Sequence, residues 1–192
     1  MTSTSTAVAS MATPGSLEAV VLNSTNYYRQ LYHAEPLVWN DTMAAYAENY
    51  ARGCIWKHSG GPTGENLAAS FSNSTLAIDT WAAEESKYNW KKAKFTHDTG
   101  HFTQLVWRNT TSVGCGLVAC DNDAEGGVEG DYLVCEYWPP GNYKGDFKNN
   151  VVKGGVDGDG SPSLGAASGG RGKVWRMGVV LGAAGFVVAM LA

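Results

Sequence analysis

Two segments rich in β-branched and aromatic residues, SVGCGLVAC (112–120) and DYLVCEYW (131–138), flank the turn-forming run DNDAEGGVEG. Such a pattern predicts an antiparallel hairpin, and the hairpin restricts how the rest of the chain can pack. If it is centred near residue 125, Cys115 lies opposite Cys135. Cys120, five positions from Cys115, then points to the other sheet face. There it can meet Cys54, which leaves a covering helix. The expected disulfides are therefore Cys115–Cys135 and Cys54–Cys120.

The cysteines also bear on compartment. None of the four sits in a C-x-x-C pair, which argues against a zinc ribbon or a thioredoxin-like motif. An even set of widely spaced cysteines fits structural disulfides and an oxidising compartment; the alternative is four buried thiols in a cytosolic protein. Asn23, Asn40, Asn73 and Asn109 each begin an N-x-[ST] glycosylation signal, which favours the secretory pathway. The opening MTSTSTAVASMATPG has neither a basic n-region nor an apolar h-region, so an export signal is not visible in this chain.

Composition divides the 192 residues. Residues 1–15 are Ser/Thr/Ala-rich and expected to be disordered. Residues 153–172 form a Gly/Ser-rich stem. Residues 173–192 end in the apolar run MGVVLGAAGFVVAMLA, either the removable tail of a GPI-attachment signal or a short membrane anchor. The folded domain is expected over 16–152. A net charge of −4 and the absence of a long basic run argue against nucleic acid; Lys91, Lys92 and Lys94 are too few to track a phosphate backbone.

Within the domain, helices are predicted over 16–33, capped by Ser16, and over Asp41 to about Gly53. A third runs from Asn73 or Ser74 to near Tyr88. Helices before and after a short antiparallel sheet imply an α+β sandwich.

The third helix carries the chemical signal. Ala77, Trp81, Glu84 and Tyr88 share one face by their spacing, so Glu84 points inward with the aromatics. A buried carboxylate needs a positive partner, strong donors or a metal. His101, in HFTQLVWRN, shares a face with Leu105. His58 and Glu65 bracket the turn GGPTG and can reach one cavity. Two histidines and two glutamates form a ligand set for a divalent metal such as zinc. His97 and His101 imitate a zinc-protease helix, but the glutamate that should follow the first histidine is missing.

GHFTQLVWRNT (100–110), YLVCEYWPPGNY (132–143) and GENL (64–67) occur in an order that resembles the CAP superfamily of cysteine-rich secretory, antigen 5 and pathogenesis-related class 1 proteins. The resemblance covers about residues 18–150. Its departure is at the start, where Thr25-Asn26-Tyr-Tyr-Arg29 replaces the usual His-Asn-x-x-Arg. The resemblance implies a three-layer α-β-α sandwich. It implies that His58, Glu65, Glu84 and His101 form a central tetrad, which in some members holds a divalent cation (zinc or magnesium here). It also implies a site for a sterol or fatty-acid-like lipid at Tyr88, Trp90 and Phe95, whose spacing resembles a caveolin-type motif of sterol-binding relatives.

The resulting expectation is an extracellular, secreted or surface-attached protein that binds sterols or other small lipids and has no assigned catalytic residue. A metal-dependent hydrolase using Glu65 or Glu84 as base, and a surface effector recognised by another protein, are the alternatives.

Overall fold

The computed structural model describes residues 13–154. The Ser/Thr-rich start, almost all of the Gly/Ser-rich stem and the apolar tail lie outside those residues. The element order is α1 (Leu17–Leu31), β1 (Val38–Trp39), α2 (Asp41–Ala51), β2 (Gly64–Ala69), α3 (Ser74–Ala83), α4 (Gly100–Leu105), β3 (Ser112–Asp121), β4 (Glu129–Trp138) and α5 (Phe147–Asn150). A 3₁₀ turn over Glu84–Lys87 follows α3 directly.

Side-chain caps fix the starts of the three long helices. Ser16 Oγ accepts from Ala19 N, Asn40 Oδ1 from Met43 N, and Asn73 Oδ1 from Leu76 N. Each satisfies a backbone donor that has no intrahelical acceptor. The third helix is shorter than its pattern predicts, because the α-helix tightens to 3₁₀ after Ala83. The inward face nevertheless continues: Ala77, Trp81, Glu84 and Tyr88 are all buried.

The four-stranded sheet has the order β1-β3-β4-β2. The expected hairpin is present, with Cys115 registered on Cys135. Two features depart from expectation. β2, read in the sequence only as a motif after a turn, is an edge strand antiparallel to β4. The two-residue β1 pairs parallel to β3, so the sheet is mixed rather than purely antiparallel.

Alternation along β3 and β4 separates two cores. Val113, Cys115, Leu133, Cys135 and Tyr137 join the cluster containing Val21, Ile78, Trp81, Phe102 and Leu105. Cys120, Tyr132, Val134 and Leu67 join Ala47 and Ala51 of α2 on the opposite face. Helices thus cover both faces, giving an α-β-α sandwich. The α2 layer sits unusually low: a Cβ on Gly114 would lie 2.3 Å from Ala44 N, and one on Gly116 2.2 Å from Glu48 N. Cys54–Cys120 links the α2 side to the sheet, and Cys115–Cys135 cross-links the hairpin.

Candidate functional site

The chain between α2 and β2 delivers His58. Cys54, in the left-handed region at φ +48, is pinned by its disulfide, and Tyr50 Oη donates to Lys57 O at 2.6 Å. His58 Nδ1 then meets Glu65 Oε1 at 2.5 Å. Ser59 N donates to both oxygens of that carboxylate, at 3.0 and 3.2 Å. Burial opposes ionisation of Glu65, but the bonds from His58 and Ser59 and its contact with Glu136 outweigh it and hold the carboxyl below its ordinary range. Ser59 Oγ accepts from Gly61 N at 3.1 Å, a contact within the turn.

Glu136 is a member of this group that the sequence reading missed. It is registered across from Glu65 and is 0% exposed. Thr63 Oγ1 donates to its Oε2 at 2.5 Å. Burial pushes its carboxyl up to about 8, against the pull of Thr63 and with the help of neighbouring Glu65. Its Oε1 is buried with no donor among the described residues. A proton retained on Glu136 resolves both facts, because the acid form donates where two carboxylates could only accept.

The second pair is Glu84 with His101. Glu84 Oε1 meets His101 Nδ1 at 2.6 Å, and Oε2 accepts from Phe102 N at 3.0 Å, at the start of α4. Trp81 stacks on the imidazole, with centroids 5.9 Å apart and planes 11° from parallel. Asn66 Nδ2 donates to His101 O at 3.2 Å, tying α4 to β2. Arg29 holds the other end of this segment. Its buried guanidinium donates to Leu105 O at 3.1 Å, Trp107 O at 2.9 Å and Thr110 O at 2.8 Å. α4 begins only at Gly100, so His97 and His101 do not share one helix.

The four expected metal residues are therefore assembled as two His–carboxylate pairs. Glu65 lies on the α2 face of the sheet with Glu136 and Leu67, whereas its neighbour Asn66 faces α4. Among the described residues, no three His, Cys, Asp or Glu side chains form a metal-holding cluster. The carboxylates engage imidazole Nδ1 atoms and backbone N–H groups, the role of outer partners that orient a histidine. His58 Nε2 is buried without a hydrogen-bond partner among the described residues.

The aromatic residues expected to form a lipid flap are divided by the fold. Tyr88 is buried and Trp90 half-buried. They meet edge to face at 4.9 Å, and both pack on Phe102, at 5.8 and 6.1 Å. Tyr32 completes the cluster, stacked on Trp90 at 6.2 Å. Only Phe95 is an open ring, 37% exposed. Tyr88 Oη is buried with no hydrogen-bond partner among the described residues, and burial pushes the phenol up to about 12. Asn23, Asn73 and Asn109 are exposed and Asn40 is partly so, which leaves all four glycosylation signals at the surface.

Residues 22–137 match the Cysteine-rich secretory protein family, CAP. The chain belongs to this family. The CAP chain is 42% identical over 137 residues to Protein PRY2 of Saccharomyces cerevisiae, covering 69% of this chain and 40% of that protein. It is 38% identical over 128 residues to Pathogenesis-related protein 1 of Arabidopsis thaliana, covering 64% of this chain and 76% of that protein. The structure of Schistosoma mansoni venom allergen-like protein 4 superposes with a TM-score of 0.56 at 22% identity, over 71% of this chain and 94% of that one, which shows a shared CAP fold. The chain spans less than half the length of its yeast relative.

Proposed function

We propose that this CAP protein works outside the cell as a binding protein for a sterol or similar small lipid, with the segment from Tyr88 to Phe95 as the ligand-facing element. The observation that carries this reading is the Tyr88 hydroxyl, buried on a ring that packs against Trp90 and Phe102 and lacking a partner among the described residues. An unpaired buried hydroxyl costs stability. A flat apolar ligand with a single oxygen would satisfy it while stacking on the rings. Trp90, half-buried above Tyr88, is the ring that must shift to admit such a ligand, and exposed Phe95 would fold over it. Two disulfides and membership of a secretory family support the extracellular setting.

The His58–Glu65 pair is read as a structural centre that would accept a divalent cation. His58 supports this through its buried, unpartnered Nε2, and imidazole ligation favours zinc over magnesium. His58 would hold such an ion, with Glu65 orienting its ring.

Titration with a labelled sterol tests the lipid reading. Tyr88→Phe should weaken binding about tenfold, the worth of one hydrogen bond, and leave the fold intact. Trp90→Ala and Phe95→Ala should weaken it further. Wild-type affinity in all three variants would refute the assignment.

A further inference from the structure

Four of the fourteen Lys and Arg residues fall within the eight positions 87–94: Lys87, Lys91, Lys92 and Lys94. No Asp or Glu lies between Ser86 and His97, although the chain as a whole carries −4. All four lysines are exposed, and among the described residues none makes an ion pair. The acidic groups closest in sequence are Glu85 and Asp98, at the two margins. Phe95 is exposed beside the lysines, its ring edge against His97 at 5.4 Å.

The backbone here is held by short-range bonds. Ala93 N donates to Asn89 O at 2.8 Å, and Lys92 N to Asn89 Oδ1 at 2.9 Å. Ala93 takes φ +42, which turns the backbone within the lysine run. The result is an exposed run of four lysines with an exposed aromatic ring on a net acidic protein.

We propose that the segment Lys87–Phe95 docks the protein on an anionic lipid bilayer, with the lysines at the headgroups and Phe95 inserted at the boundary of the acyl region. The proposal rests on the reading of the same segment as the lipid-facing element and adds the surface from which that lipid is taken or to which it is given. A bilayer fits better than an acidic protein because the run pairs exposed charges with an exposed apolar ring. Lysine stems lie along apolar surface while their ammonium groups stay in water. Each lysine close to an anionic membrane strengthens binding by about fivefold.

The test is co-sedimentation of the full chain with vesicles of phosphatidylcholine alone and of phosphatidylcholine with about 30% phosphatidylserine, an anionic fraction chosen to give a substantial surface potential. The full chain is used so that its apolar tail contributes equally to every variant. Wild type should bind the anionic vesicles preferentially and lose that preference in high salt. Replacing Lys91, Lys92 and Lys94 together by Gln should reduce binding by about 100-fold, while Lys148→Gln should leave it unchanged. Equal binding to both vesicle types, or a triple variant that binds like wild type, overturns the proposal. So does wild type that ignores anionic vesicles but binds poly-glutamate.

Sterol titration in detergent separates this result from the function on which it rests. Sterol binding without lysine-dependent vesicle binding removes the docking surface alone. Lysine-dependent vesicle binding without sterol binding removes the lipid-carrier reading alone.

Discussion

Glu65 and Glu136 face each other across the pairing of β2 with β4, two buried carboxyl groups on the same face of the sheet. Their surroundings drive them apart. Glu65 has His58 and the Ser59 N–H, which favour its charge. Glu136 has a hydroxyl and a neighbouring carboxylate, and it retains its proton.

This asymmetry gives stability a definite pH dependence. The folded-state value of Glu136 is raised from 4.5 to about 8, so between those values the native state holds a proton that the unfolded chain has released. Stability should therefore fall as pH rises through that window. Glu65, held below its ordinary range, contributes stability that is lost at the acid end instead. In Glu136→Gln the amide still accepts from Thr63 and donates to Glu65, without ionising. Thermal unfolding from pH 5 to 9 should show a midpoint falling by several degrees in wild type and nearly flat in the variant; parallel curves would contradict a shared proton.

Arg29 joins α1 to three carbonyls at and beyond the end of α4, and its Nε donates to Glu35 O at 2.7 Å. Burial lowers its guanidinium to about 10, still charged at neutral pH. Lysine cannot reproduce the planar fork. Arg29→Lys should cost about 2–3 kcal/mol, since it strands buried carbonyls. The change would appear as a lower urea midpoint at constant slope.

Gly114 is fixed by proximity rather than by its dihedral angles. The missing Cβ would lie 2.3 Å from Ala44 N and 2.5 Å from Asn40 O, both backbone atoms of the first turn of α2. Gly114→Ala must lift that helix off the sheet, at a cost of about 3 kcal/mol. Denaturant unfolding should show the loss. Gly126→Ala, with nothing within 4 Å of the added Cβ but a left-handed φ of +77, should cost only about 1 kcal/mol.

The disulfides should differ in worth. Cys54–Cys120 spans 66 residues and Cys115–Cys135 spans 20. Loop-closure entropy then predicts a loss of about 4 kcal/mol for the paired Ala variant of the first and about 3 kcal/mol for the second. Comparison of the two double-alanine variants in urea measures the order directly.

The inward carboxylate Glu84 was legible from its spacing with Ala77, Trp81 and Tyr88, and the spacing held even though the α-helix gives way to 3₁₀ at that residue. The cysteine pairing was legible because strand alternation places Cys115 and Cys120 on opposite faces. Glu136 was not. It occupies an ordinary alternating position in β4, and its burial depends on β2, whose run GENLAA has no β-branched or aromatic residue to mark it as a strand. The aromatic spacing of Tyr88, Trp90 and Phe95 was visible, but their division into two packed rings and one open ring depends on Tyr32 and Phe102, contributed by other elements.

By itself the sequence determined the local matters: where helices begin, which hairpin forms, which cysteines can meet and which helix face turns inward. Periodicity and capping act over a few residues, and they are written in the chain. Tertiary structure alone decided that the two histidines each close on a different carboxylate, that Glu136 sits beside Glu65, and that the Tyr88 hydroxyl is left without a partner among the described residues. Those outcomes depend on which distant segments become neighbours, and burial then sets the charge of each group according to that company.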